Sequence, residues 1–329
     1  TNVTAILSTA NPDISISDNS AVYGSISAGN SITNENVIRN TILLDEGDPY
    51  NKILLNKSIN RLKARNIFKY VDKKLINSDN KNKKIIEIIV EEKATGEITA
   101  GAGLGTNGSS LMVGIKENNY LGKGITLDTK LTLDEESVRG NFTYNNPNFK
   151  NSDKGLYINV LSTVTDRLTD YGYKSTNFGF STGTSYEQFE DVYFSPKIST
   201  EYDKIETSIT ASNALKKQTG DYFDVNFSYS LEEDLRNQRW QATDGYKHRL
   251  SQSIPILSDS YAIENGYTIS KYSEFIENNV TTFSFTGKTI TALSSGKDVR
   301  ISKRLSIPPK LLRGFEPGKV GPMDNGDYV

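Results

Sequence analysis

One histidine, His248, is the whole imidazole complement of the chain. A Ser-His-Asp triad therefore has a single possible base, and a histidine-rich metal site has none. His248 follows the turn-forming Thr243-Asp244-Gly245 and alternates along an expected strand, which suits a residue facing a lumen or an interfacial girdle better than a catalyst. The carboxylates come in runs, Asp134-Glu135-Glu136 and Glu232-Glu233-Asp234, at the ends of expected strands, where solvated loop charge is the plain reading. Gly101-Ala102-Gly103-Leu104-Gly105 has the glycine density of a phosphate cradle, but no Gly-Lys-Ser/Thr follows and no helix opens after it. Without cysteine there is no thiol nucleophile, no disulfide and no cysteine-ligated metal. These residues make no catalytic, metal or nucleotide site, so the chain is expected to be no enzyme and to need no cofactor.

The net charge of -2, from 38 basic and 40 acidic residues among 329, supplies no field for phosphates and excludes a nucleic-acid partner. No run approaches the roughly 18 apolar residues of a membrane-spanning helix. Barrel spans survive that test, because strands alternating between lipid and lumen read as polar on average. The first residue is Thr, and no basic, apolar signal region follows, so the N-terminus is expected to be an interior cut.

The elements that would position any function fall into two parts. Residues 1–20, rich in Asn, Ser, Thr and Asp, are expected to be a linker or the end of a preceding unit. Residues 21–93 read as β-α-α-β-β. A strand over 21–28 stops at Gly29-Asn30. Thr33 stands where a helix cap belongs, before Val37, Ile38 and Ile42, and Asp48-Pro49 opens a second helix with Leu55, Ile59 and Leu62 on one face. Strands over 69–76 and 84–92 flank an exposed Asn-Lys loop.

Residues 94–293 read as about eleven antiparallel strands. The clearest alternation sets Ile125, Leu127, Leu131 and Leu133 against Thr126, Asp128, Lys130 and Thr132, over the roughly ten residues that a tilted strand needs to cross a bilayer. Further segments lie over 96–106, 138–145, 156–160, 173–183, 189–202, 221–235, 246–256, 262–274 and 281–293. Tyr120, Tyr144, Phe149, Tyr157, Tyr171 and Tyr173 cluster near strand ends, as an interfacial girdle requires. A soluble β-sandwich would alternate in the same way. It would also bury Asp128, Lys130 and Arg139 in a dry interior at several kcal/mol each, which a water-filled lumen avoids.

Near the end stands Leu312-Arg313-Gly314-Phe315-Glu316-Pro317-Gly318, read as a structured loop entering the lumen. The 21–93 module, with Glu46-Gly47-Asp48-Pro49-Tyr50 and Asn66-Ile67-Phe68-Lys69-Tyr70-Val71, resembles a POTRA domain. Added to it are the junction Val90 to Gly96, the stretch Gly114 to Gly124, Pro147-Asn148-Phe149, Thr243-Asp244-Gly245 and Arg313-Gly314-Phe315. In that order the whole set resembles the BamA-type outer-membrane protein assembly factors.

The resemblance implies an α+β POTRA domain over 21–93, followed over 94–329 by an antiparallel transmembrane β-barrel with about eleven of sixteen strands present, incomplete at both ends. It implies that residues 294–329 form the loop carrying Arg313, Gly314 and Phe315. It also implies that the first barrel strand, with Gly96, Gly101, Gly103 and Gly105, is a weak seam that opens as a lateral gate. The activity implied is ATP-independent folding and insertion of β-barrel proteins, with unfolded outer-membrane clients, periplasmic chaperones, accessory lipoproteins and the lipid bilayer as partners. The location implied is the bacterial outer membrane, with the POTRA domain in the periplasm. Two alternatives stand beside it: a POTRA-barrel pore exporting a partner protein, and a soluble β-rich binding protein. Because the family's partners for the loop arginine would lie beyond Val329, the loop around Arg313 is expected to be disordered or displaced.

Overall fold

The structure, a computed structural model, describes residues 2–8, 23–28, 32–77, 84–105, 108–169, 171–237, 242–276, 279–293, 299–305, 323–324 and 327–328. The chain divides into two compact units. One comprises Thr1–Ile98, Ile115–Leu127 and Tyr144–Gly155, the other Thr99–Gly114, Asp128–Thr143 and Leu156–Val329.

The first unit holds β1 (Asn2–Ser8), β2 (Tyr23–Ala28), α1 (Glu35–Arg39), α2 (Lys52–Ala64), β3 (Phe68–Asn77) and β4 (Lys84–Glu92). Its sheet has the order β2-β1-β4-β3. Residues 2–8, expected as linker or frayed end, are instead a strand between β2 and β4, antiparallel to both. The register sets Val3, Ala5 and Leu7 opposite Val90, Ile88 and Ile86, the buried row of β4. A period of two within an otherwise polar stretch was the available signal, and composition masked it.

Both helix starts also differ from expectation. Asn34 caps α1 by accepting from the Asn36 amide at 3.1 Å, and Asn51 caps α2 by accepting from Ile53 at 2.8 Å and Leu54 at 3.2 Å. Asp48 turns back within its own loop to accept from the Asp45 amide at 2.9 Å. Cap residues satisfy orphan amides, and asparagine does so as well as aspartate or threonine. The expected apolar faces are in place: Val37, Ile38, Leu55, Ile59 and Leu62 pack with Ile67, Phe68, Val71, Ile86, Ile88 and Val90 into one core. Truncating a fully buried member such as Leu62 to Ala would cost about 2–5 kcal/mol.

Eleven strands follow in one sheet. They are β5 (Gly96–Gly105), β6 (Gly108–Tyr120), β7 (Ile125–Asp134), β8 (Ser137–Asn146), β9 (Gly155–Arg167), β10 (Tyr173–Phe189), β11 (Val192–Thr207), β12 (Gly220–Asp234), β13 (Gly245–Ser258), β14 (Ala262–Ile276) and β15 (Asn279–Ala292). Each neighbours the next in sequence, so β5 and β15 form the two edges and the sheet is not closed. Pairing from β10 to β15 is antiparallel throughout. Several strands exceed what a bilayer requires: β10 runs for 17 residues and β11 for 16, against roughly 9–11 for a crossing. No described helix is long and apolar enough to cross a membrane.

The two faces of this sheet settle the choice between soluble and membrane readings. On β10, β11 and β12 the buried residues are polar: Ser181, Ser199, Asp203, Asn226 at 7% exposure and Asp224 at 0%. The exposed ones are apolar, with Phe178 at 51%, Phe223 at 44%, and Phe180, Ile198, Tyr202 and Leu231 among them. Cross-strand register groups them, Phe178 opposite Tyr202 and Tyr202 opposite Phe223 on the apolar face. A water-soluble sheet needs the reverse arrangement, since apolar surface gains by leaving water. An outward apolar band and a polar interior define a membrane barrel wall.

Candidate functional site

Three of the sequence stretches quoted above are turns between strands. In the first, Asn118 and Asn119 are buried just before the end of β6, and the turn to β7 passes through Leu121 (φ 54°), Gly122 (φ 70°) and Gly124 (φ 64°). Asn119 organises it: its Oδ1 accepts from the Gly124 amide at 2.7 Å, and its Nδ2 donates to Thr33 Oγ1 at 2.9 Å. The Gly122 carbonyl accepts from the Asn34 amide at 2.7 Å. Thr33 in turn donates its amide to Glu92 Oε1 at 2.6 Å, and Ile32 donates to Glu92 Oε2 at 3.1 Å. Burial alone would raise the Glu92 carboxyl, but the Thr33 hydroxyl and the Thr33 and Ile32 amides hold it below the ordinary carboxylate range.

Glycine at 122 is dictated twice. Its left-handed backbone disfavours a side chain, and a Cβ there would stand 1.9 Å from the Ile32 carbonyl oxygen. At Gly124 a Cβ would meet Val37 Cγ1 at 2.9 Å.

The second turn, between β8 and β9, carries Pro147-Asn148-Phe149. Asn148 accepts from Arg65 Nη2 and donates to the Asn40 carbonyl at 3.4 Å and the Ser152 carbonyl at 3.2 Å. Arg65, at the C-cap of α2, also donates through Nε to Thr41 Oγ1 at 3.1 Å. Burial with no carboxylate beside it pushes the Arg65 guanidinium down to about 10. Hydrogen bonds of Thr33, Asn34 and Arg65 therefore hold the POTRA domain to both turns.

The third turn, between β12 and β13, is held within itself. Asn237 accepts from the Thr243 and Asp244 amides and donates to Thr243 Oγ1 at 2.7 Å, while Arg236 grips Asp234 through two bonds of 2.7 Å. Gly245 (φ 96°) lies where a Cβ would meet the Leu235 carbonyl oxygen at 2.2 Å.

His248 stands on the apolar face, its Nδ1 2.7 Å from the Tyr267 hydroxyl and its ring 4.9 Å from that of Tyr246. That is the girdle placement and not the lumen one. Tyr157, expected in the girdle, faces the polar side and is hydrogen-bonded to Ser181. Its hydroxyl finds a partner there that lipid does not offer.

The glycines expected at the seam lie along the edge strand β5. Gly96, Gly101 and Gly103 have no positive φ, and a Cβ would sit 3.4 Å from Glu117 Oε2, 3.8 Å from Met112 Cε and within 4 Å of nothing, respectively. Neither backbone nor packing demands glycine at these three positions. Gly105 is the last residue of β5. Arg313, Gly314 and Phe315 lie outside the described residues.

Sequence reasoning missed Arg300 and Lys303. Arg300 is 3% exposed and meets Asp203 and Asp224, while Lys303 meets Asp224 and Glu201. The partners are at least 76 residues away in sequence, and no local pattern announces them. Among the described residues no group of three or more His, Asp or Glu side chains could hold a metal.

A POTRA domain joined to a wall with a lumen face and a lipid face defines a POTRA-barrel protein. Comparison with known proteins agrees. A family profile described as "Omp85 superfamily domain" matches residues 119–329, and the POTRA profile, "Surface antigen variable number repeat", matches residues 25–93. The chain belongs to the Omp85 superfamily.

Over 229 residues it is 22% identical to the sorting and assembly machinery component 50 homolog of Homo sapiens, spanning 69% of this chain and 48% of that protein. The structure is similar to BamA from Haemophilus ducreyi lacking POTRA domains 1-3, with a TM-score of 0.67 and 20% identity over 92% of this chain and 63% of that one. It is also similar to CdiB from Acinetobacter baumannii, with a TM-score of 0.53 and 12% identity over 83% and 54%. The chain thus spans between about half and two thirds of these relatives.

Proposed function

We propose that this protein folds and inserts β-barrel proteins into the bacterial outer membrane, without ATP and without an active site. The observation that carries the reading is the character of β5. It is the first strand of the sheet, and its glycines answer to no steric or conformational demand at Gly96, Gly101 and Gly103. Glycine in a strand offers no side chain to pack and loses more entropy on ordering, so it weakens pairing. A weakly held edge exchanges partners, and an incoming strand can add to it by β-augmentation.

In this reading Gly96, Gly101, Gly103 and Gly105 form the gate. Unfolded outer-membrane proteins are the clients, periplasmic chaperones and accessory lipoproteins deliver them, and the POTRA domain faces the periplasm. Arg313, Gly314 and Phe315 would brace the lumen, the guanidinium pairing with a carboxylate and the phenyl ring anchoring the loop. The similarity to BamA and to a sorting and assembly component supports this direction.

The likeness to CdiB supports a second reading, a pore that exports one partner protein. The two part in a liposome experiment. An assembly factor speeds insertion of an unfolded barrel client above the rate in empty liposomes, whereas an exporter gives stable conductance and partner-dependent release with no such acceleration.

A further inference from the structure

We infer that residues 299–305 form an ionic latch. It rests on the lumen face of β11 and β12 and holds there as an anchor separate from Arg313. β15 pairs with β14, ending with Ala262 opposite Ala292. To meet Asp224 on β12 and Asp203 on β11, Arg300 must lie across β14 and β13. Its Nε is 3.3 Å from Asp203 Oδ2, its Nη2 bonds Asp224 Oδ2, and its guanidinium carbon is 4.4 Å from the centre of the Tyr222 ring.

Lys303 adds a second cation 2.6 Å from Asp224 and reaches Glu201 at 3.6 Å. Two further hydrogen bonds fix the register of the segment. The Ile301 amide donates to Gln218 Oε1 at 2.6 Å, and the Ser302 hydroxyl donates to Asp203. The wall is prepared for this load: Ser175 donates to Asp203 at 3.0 Å, and Ser258 donates to Asp224.

Several features make this a latch and not a rivet. The carboxylates belong to the polar face, so a departing segment leaves them to lumen water and not to a dry core. Charged pairs buried in protein gain little net stability once desolvation is counted, whereas removing one partner while the other stays buried is strongly unfavourable. Moreover, Arg300 Nη1 is buried with no hydrogen-bond acceptor among the described residues. Closure and release are thus balanced more closely than the number of contacts suggests.

The test uses limited trypsin digestion of the folded chain in liposomes, read at Lys303 and Arg304 by mass spectrometry. Arg300→Gln, which keeps both cleavage sites, should raise the cleavage rate there at least tenfold. Asp224→Asn, altering the wall instead, should raise it in the same direction, and Arg313→Ala should leave it within twofold of the parent. Should Arg300→Gln or Asp224→Asn fail to fold, a cysteine pair at Gln218→Cys and Ile301→Cys, unambiguous in a cysteine-free chain, gives the second readout. The pair should oxidise readily in the parent background and in Arg313→Ala, and poorly with Arg300→Gln added. Unchanged cleavage in Arg300→Gln, or release by Arg313→Ala as great as by Arg300→Gln, would overturn the inference.

Discussion

Replacing Gly122 by alanine probes the POTRA-to-turn contact at its tightest point. The substitution places a methyl carbon 1.9 Å from the Ile32 carbonyl oxygen and 2.9 Å from its carbon, both backbone atoms that no rotamer change can move aside. Left-handed backbone adds about 1–2 kcal/mol of strain for any residue with a Cβ. Relief requires the turn and residues 32–34 to part by more than an ångström. That movement breaks the bond from Asn34 to the Gly122 carbonyl and the bond from Asn119 to Thr33. Each is worth about 1 kcal/mol net, and more where a buried group is left unpaired. The sum is about 3–5 kcal/mol against the docked arrangement.

Gly47 supplies the control, since it has φ 104° but nothing within 4 Å of its Cβ, so Gly47→Ala should cost only the strain. Gly103→Ala, with neither strain nor contact, should be neutral or slightly stabilising. Hydrogen exchange at the amides of Asn34 and Gly124 reads the difference. Protection there should fall by two orders of magnitude or more in Gly122→Ala and stay near the parent value in the other two. Equal protection in all three would refute the contact.

Other consequences follow from the same geometry. Asn119→Ala should cost about 1–3 kcal/mol at the same amides, because it leaves the Gly124 amide without its acceptor and removes the donor to Thr33 Oγ1. Because hydrogen bonds hold the Glu92 carboxyl below its unfolded value, the stability it lends is present above the unfolded pKa and lost as pH falls through the folded one. Exchange at Ile32 and Thr33 should therefore rise as pH falls below the ordinary glutamate range, and Glu92→Gln should remove that pH dependence. In liposomes carrying a lipid-phase quencher, a fluorophore on Phe227→Cys should be quenched and one on Ser228→Cys spared, since adjacent residues take opposite faces. Equal quenching at both would contradict the assignment of faces.

Much of this architecture was legible in the chain. Period-two alternation located ten of the eleven sheet strands, because a wall with lipid on one side and water on the other leaves that period in the residues. The strand over Gly108–Tyr120 escaped as a strand, its polar residues Lys116, Glu117, Asn118 and Asn119 breaking the pattern where the sheet meets the turn. Helix caps were misplaced by one residue at Thr33 and by three at Asp48, since several polar residues competed and geometry chose among them.

The turn motifs announced themselves as conspicuous residues. What they do, Asn119 with Thr33 and Asn148 with Arg65, became readable only when residues 86 and 83 positions apart came together. Arg300 had no such signal, because one arginine in a mixed-charge stretch looks like any solvated side chain until Asp203 and Asp224 surround it.

The central claim is that a weak first-strand edge drives insertion of client barrels, and client insertion kinetics in liposomes test it most directly. The parent protein should speed folding of an unfolded barrel client well above the rate in empty liposomes. Gly101→Val with Gly103→Val, at positions where an added Cβ meets nothing closer than 3.8 Å, strengthens the strand by up to about 1 kcal/mol per site and should slow insertion several-fold while the protein itself remains folded. An unaltered rate in the double variant, or a parent protein no faster than bare lipid, would contradict the account.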